Sequence, residues 1–195
     1  MRLTKLSKDT QSKVKIADYD KNEWIYRQLP DSSARFVLGT VGSNPLVCFG
    51  INPSTASPNN LDPTLKSVER FALANGYDSF VMFNVYALRS TAPNGLPMKI
   101  DECLHAQNLS EIKDFIAGRG LDIWAAWGAL IQKRPYLKAC LIDIAKLDEC
   151  ANCRWVNIGN MTKAGHPHHP LYLQRDSNIE NFDIASYIRG LTAKC

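Results

Sequence analysis

The sequence predicts an α/β domain in which a parallel sheet is covered by helices on both faces, a three-layer α/β/α arrangement. Two observations predict it. Stretches of strand length that are mostly apolar or β-branched, with few or no charges, recur at 46–51, 79–86, 122–128 and 155–159. Such runs are the mark of strands buried on both faces. Between them lie stretches of helical length with one apolar side, and this alternation gives right-handed crossovers and parallel neighbours. The chain has 195 residues, no internal repeat and no low-complexity segment, so one domain over 1–195 with a proper core is expected.

Residues 1–35 mix basic and acidic side chains with little apolar periodicity apart from Trp24, Ile25 and Tyr26. They are expected to form a partly extended lead-in that packs through that cluster. Arg2, Lys5, Lys8, Lys13 and Lys15 could touch phosphate, although a solvated surface accounts for them better. Arg35-Phe36-Val37-Leu38 reads as a short strand ended by Gly39, and 42–45 as a turn. Leu46 to Ile51 then forms the central strand. Asn52-Pro53 ends it, because proline has no N–H for a ladder and biases the preceding residue toward extended geometry. A small, polar, proline-punctuated loop leads to a helix over 62–75. Asp62 suits its N-cap and Pro63 its first position, where a missing N–H costs nothing. Leu65, Val68, Phe71 and Ala72 share its apolar face, and Gly76 suits a left-handed cap.

The strand at 79–86 delivers Asn84 near its carboxyl end and is followed by a loop over 87–97 in which Arg89 is the one charge. A helix is expected over 102–117, stopped by Gly118, and a strand over 122–128. Over 129–148 the pattern is helical, with Pro135 implying either two pieces or a start near Arg134. After the strand at 155–159, prolines 167 and 170 exclude regular structure from 160–173. The end, 176–191, is amphipathic through Ile179, Phe182, Ile184 and Ile188.

Hydrophobic content of 45%, charged content of 22% and a net charge of +4 describe an ordinary, mildly basic globular chain. Contact with phosphate is permitted but not demanded. No run approaches the roughly 18 apolar residues of a membrane helix. The first residues lack the apolar core of a signal peptide, so a cytoplasmic protein with no membrane partner is expected. The six cysteines are scattered and read as free thiols.

Ligands of α/β sheets bind beyond the carboxyl ends of the strands, where backbone N–H groups and helix dipoles converge. Three loops should gather there: 52–62, 84–91 and 160–173. The first is longer than an ordinary strand-to-helix connection and carries Asn52, Ser54, Thr55, Ser57, Asn59, Asn60 and Asp62. Asn52 and Asn84 each donate and accept through one amide, the capacity needed to read a nucleobase edge. His166, His168 and His169 are three of the four histidines, bracketed by prolines. One imidazole could stabilise a developing oxyanion, whereas adjacent His168 and His169 are poorly placed to share a metal ion. A rigid surface turn with incidental histidines is the plain alternative. Cys150-Ala-Asn-Cys153 is a lone CxxC, weak as a zinc signal. Dinucleotide, phosphate-loop and nucleophile-elbow signatures are absent, so kinase, dehydrogenase and α/β-hydrolase readings lose their warrant.

Asn52-Pro53-Ser54-Thr55-Ala56 with Asp62-Pro63-Thr64, the block from Asn84 to Thr91, and Gly165-His166-Pro167-His168-His169-Pro170-Leu171-Tyr172-Leu173 together resemble a bacterial and phage family catalogued as domain of unknown function 1643. A second resemblance is more distant. Gly50-Ile51-Asn52-Pro53 is similar to the first motif of the mismatch-specific uracil and thymine DNA glycosylases, and the final loop resembles the His-Pro-Ser-Pro-Leu segment of that superfamily. What this likeness implies is a uracil-DNA glycosylase-like fold, a three-layer sandwich with a short, mostly parallel central sheet. It implies Asn52 orienting water, Asn84 reading the base, His169 or His166 bonding a base carbonyl, and Leu171 as the wedge. Ser54 stands where the mismatch-specific enzymes have Gly, and Asp62 is the candidate for the water-activating carboxylate that position 52 lacks.

The expected function is therefore a glycosylase-like pocket, built also from Gly50, Ile51, Pro53, Ser54, Thr55, Tyr86 and Arg89. It would bind a nucleobase in a nucleotide or in nucleic acid, without a cofactor, and hydrolyse its N-glycosidic bond. Phe49 and Tyr86 are the candidate stacking groups, and Arg89, Lys163 and Arg175 the candidate phosphate contacts. A non-catalytic nucleotide or modified-base binding module is the rival, and a metal-dependent hydrolase the third reading.

Overall fold

The computed structural model describes residues 19–92 and 95–192. Arg2, Lys5, Lys8, Lys13, Lys15 and Cys195 lie outside the described residues. Leu46, Val47, Cys48 and Phe49 are apolar on both sides of the pleat, and all four are fully buried. A strand of this kind needs helices above and below it. It is the third of seven in one sheet: β1 (Trp24–Gln28), β2 (Arg35–Thr40), β3 (Pro45–Gly50), β4 (Ser79–Asn84), β5 (Asp122–Ala125), β6 (Arg154–Ile158) and β7 (Ile179–Asn181). Their spatial order is β1-β2-β4-β3-β5-β6-β7. The helices are α1 (Pro63–Ala74), α2 (Glu102–Ile116), α3 (Pro135–Ala145) and α4 (Ile184–Thr192).

Side chains alternate across the sheet and divide the core in two. Leu46, Cys48, Phe80, Met82 and Trp124 pack with Leu65, Val68, Phe71 and Ala72 of α1. Val47, Phe49, Phe83, Ile123 and Trp155 pack with Ile112 and Ile116 of α2, Leu141 and Ile144 of α3, and Leu191 of α4. The middle of the sheet is parallel, β4 to β3, β3 to β5 and β5 to β6. Its margins are not: β1–β2, β2–β4 and β6–β7 are antiparallel. The connection over 29–34 is too short for a crossover, so β1, which falls in what the sequence suggests is only a lead-in, forms a hairpin with the expected strand β2. The amphipathic end likewise divides into β7 and α4. Pro135 splits the 129–148 pattern into a 3₁₀ turn, Gly128–Gln132, and α3. Among the described residues no helix is long and apolar enough to cross a membrane.

Candidate functional site

Strands β3 and β4 end side by side, with Gly50 opposite Asn84. Pairing continues into the loops beyond: Val85 N donates to Gly50 O and Tyr86 N to Ile51 O, each at 2.9 Å, and Ser90 N to Pro53 O at 2.9 Å. A cavity of about 230 Å³ opens there on the α1 side. It brings together Gly50, Ile51, Asn52, Ser54, Asp62, Asn84 and His169 from the sequence-based candidates. It also takes Arg35, Leu65, Met82 and Leu130, which sequence reasoning passed over.

Asn84 is fully buried, and neither its Oδ1 nor its Nδ2 has a hydrogen-bond partner. Its own backbone carbonyl is held by Asn108 Nδ2 at 2.9 Å, which fixes where the side chain starts. Gly50 makes the space beside it. A Cβ on Gly50 would lie 2.6 Å from Met82 Cε and 3.1 Å from Asn84 Oδ1, so glycine leaves the amide room for something else. Asn52 Nδ2 donates to Ser90 O at 2.8 Å and Pro53 O at 3.2 Å, which leaves Oδ1 as the amide's acceptor end.

Asp62 is the N-cap of α1, as its sequence context predicts: Oδ1 accepts from Leu65 N at 2.8 Å with Pro63 in the first turn. Its Oδ2 accepts from Ser54 Oγ. Both oxygens are thus in use. His169 is held by the turn Pro170–Tyr172, where Nδ1 accepts from Leu171 N at 3.3 Å, and by α1, where Ser67 Oγ donates to Pro170 O at 2.9 Å. Gly128, at φ +61°, lets the 3₁₀ turn after β5 pass close: a Cβ there would sit 3.4 Å from His169 Cβ. With Nδ1 accepting, the neutral ring carries its proton on Nε2, a donor.

Burial holds the His169 imidazole below its ordinary value, only partly countered by Asp62. A histidine so depressed is protonated more readily in the unfolded chain. Its contribution to stability is complete above about pH 6.5 and is lost as pH falls from there through the folded-state value. Thermal unfolding between pH 7 and pH 5 should therefore show a steeper loss of Tm in wild type than in His169→Gln.

Arg89 does not reach for phosphate. Its guanidinium is tied to Ser54 O, to Ala56 O at 3.4 and 3.5 Å, to Tyr26 Oη at 2.8 Å and to Gln28 Oε1 at 3.2 Å. It braces the 52–62 loop instead. Arg35 is the arginine that lines the cavity, 2% exposed and brought there by Arg35 N donating to Ala87 O at 3.0 Å. Burial first, then the neighbouring Arg89, lower its guanidinium to about 10, which leaves it a cation at neutral pH.

Other candidates lie elsewhere. Phe49 and Tyr86 are fully buried, so neither can stack on a ligand; Phe49 packs on Phe83 and Trp155, and Tyr86 Oη accepts from Asp101 N at 2.9 Å. Pro53 is buried and serves through its carbonyl, while Thr55, Lys163 and Arg175 are exposed away from the cavity. Leu171 is 47% exposed and outside the lining. His166 belongs to a different cavity, of about 480 Å³, with Lys138 and Ser186, where its Nδ1 meets Tyr187 Oη at 2.7 Å. Tyr187 also accepts from Trp127 Nε1 at 2.9 Å, within the core on the opposite face of the sheet from α1. Two histidines three residues apart are thus sent to opposite faces. Cys150 is buried, which pushes its thiol up to about 12, and Cys153 Sγ lies 3.7 Å from the carbonyls of Arg119 and Glu149. Among the described residues no three His, Cys, Asp or Glu side chains group as a metal-ion site.

Fold and cleft define a mixed α/β protein with a polar cleft at the carboxyl edge of its parallel strands. The chain belongs to the family described as Protein of unknown function (DUF1643), whose sequence model matches residues 35–171. That span runs from β2 into the turn that holds His169 and includes every residue lining the cleft. No curated protein and no solved structure matches the chain significantly.

Proposed function

We propose that the cleft binds a nucleobase and reads its lactam edge, the adjacent N–H and C=O of uracil, thymine, hypoxanthine or guanine. The observation that carries this reading is Asn84. A side-chain amide buried with both ends unpartnered costs stability, and native proteins keep few such groups. An acceptor and a donor on one planar group are complementary to a lactam, which satisfies both at once. His169 Nε2–H adds a donor for a base carbonyl, and the cavity of about 230 Å³ suits one ring system. It lies below the roughly 300–1,000 Å³ of pockets that enclose drug-sized molecules.

Asn52 supports hydrolysis of the N-glycosidic bond in the same cleft. Its Oδ1 would accept a hydrogen bond from water and so orient it, the water oxygen attacks the anomeric carbon, and the proton it loses passes to solvent while the departing base takes one up. The electron pair of the C–N bond departs with the base, and His169 donates to the carbonyl oxygen that gathers the charge. One observation favours a binding module without turnover: Asp62, the cleft's one carboxylate, is engaged as the cap of α1 and by Ser54 rather than turned toward water. A panel of nucleosides and single- and double-stranded oligonucleotides carrying uracil, mismatched thymine, hypoxanthine and modified pyrimidines decides between them. Base release that falls by about 2–3 orders of magnitude in Asn52→Ala identifies a hydrolase. Saturable binding with no release identifies the module, and no binding to any member overturns the base reading.

A further inference from the structure

Arg35 makes one side-chain hydrogen bond, Nη1 to Ala56 O at 3.1 Å. Its Nε is buried without a partner. Arg89 brings a second guanidinium to the same Ala56 oxygen, and its other partners are also neutral: a carbonyl, a phenol and an amide oxygen. Against these two cations the cleft offers one carboxylate, Asp62, whose charge favours the Arg35 cation but can balance only one of the two. The N-terminus of the twelve-residue α1 adds its positive dipole end to the same wall. Positive charge held away from water without a counter-charge is costly, and proteins ordinarily pair it. The missing negative charge is not supplied by the described residues of the cleft. The bases that suit Asn84 are neutral at pH 7, so they do not supply it either.

We infer that the ligand of this cleft is anionic: a base carried on a phosphate whose oxygens are taken by Arg35 beside the N-terminus of α1. Arginine suits the task because its planar fork offers two parallel donors to one phosphate. Arg89 acts as a positioning residue, holding the carbonyls of Ser54 and Ala56 so that Arg35 is presented to the cleft. This inference rests on the nucleobase reading for the identity of its probes, and its failure is separable from the failure of that reading.

The test is calorimetric titration of wild-type protein with three pairs, uridine and uridine monophosphate, inosine and inosine monophosphate, guanosine and guanosine monophosphate, and with inorganic phosphate alone. The nucleotide of the preferred pair should bind at least tenfold more tightly than its nucleoside, and in Arg35→Gln that ratio should fall toward one. The wild-type ratio needs no variant, so the inference stands or falls even if Arg35→Gln does not fold. Equal affinity for nucleoside and nucleotide would overturn it while leaving the base reading intact. Arg35-dependent binding of inorganic phosphate with no preference among bases would support the anion site and overturn the base reading. An unchanged ratio in folded Arg35→Gln would overturn the assignment to Arg35. A short oligonucleotide of the preferred base that outcompetes the mononucleotide names a phosphodiester as the source of the charge. The reverse order names a terminal phosphate, and both outcomes support the inference.

Discussion

Asn84→Leu is expected to leave the protein as stable as wild type or more so, while weakening ligand binding roughly tenfold to a hundredfold. The two effects have one origin. In the unliganded protein the Asn84 amide is fully buried and unpartnered at both ends. Such a group carries a desolvation penalty on the order of 1–3 kcal/mol, which an apolar side chain of similar shape does not. Leucine at this position still packs against Met82 and the space left by Gly50, but it has nothing to offer a lactam. Urea unfolding gives the stability change and titration with the preferred nucleoside gives the affinity. A residue with a purely structural role behaves the other way round, losing stability when replaced. Destabilisation by more than about 1 kcal/mol with binding unchanged would count against Asn84 as the reader of the base.

Phe49→Ala should give the opposite signature. Phe49 is fully buried on the face of the sheet away from the cleft, its ring 5.7 Å from that of Phe83 and 5.9 Å from that of Trp155. Truncating a core phenylalanine leaves a cavity and costs about 3–5 kcal/mol. The loss should appear in the unfolding midpoint, and in protein that remains folded the affinity for ligand should stay within a few-fold of wild type. A selective loss of affinity at unchanged stability would place Phe49 in the binding site after all.

These two residues show how much could be read from the sequence. Both sit in apolar, strand-like runs, and alternation along those runs places them on opposite faces. Gly50 and Asn84 share the α1 face with Cys48 and Met82, whereas Phe49 and Phe83 share the other. The strand pattern finds the elements, and Asp62-Pro63 marks where α1 begins. Pattern alone does not say which face a fully apolar strand turns toward a ligand, because both faces are buried alike. That is why Phe49 and Tyr86 read as stacking groups in the sequence and are core residues in the fold. Arg35 is not legible as a site residue for a related reason. It opens a strand, and its place in the cleft depends on an antiparallel neighbour, β4, that follows it by more than forty residues. The antiparallel margins were equally hidden, since strand order and direction come from long-range pairing rather than from local propensity. His166 and His169 illustrate the same limit within one short loop: the prolines announce a rigid turn, but the faces to which it sends the two rings are set by Tyr187 and by Ser67.

Whether the Asn84 amide reads a lactam edge is decided by following its side-chain NH₂ resonances in protein labelled with ¹⁵N-asparagine. The signals are assigned by their absence from Asn84→Leu. On titration with the preferred nucleoside they should shift in proportion to saturation, and the analogue methylated at the lactam nitrogen should neither bind comparably nor move them. Saturating nucleoside that leaves the Asn84 resonances in place, or a methylated analogue that binds as tightly as the parent, would contradict the claim.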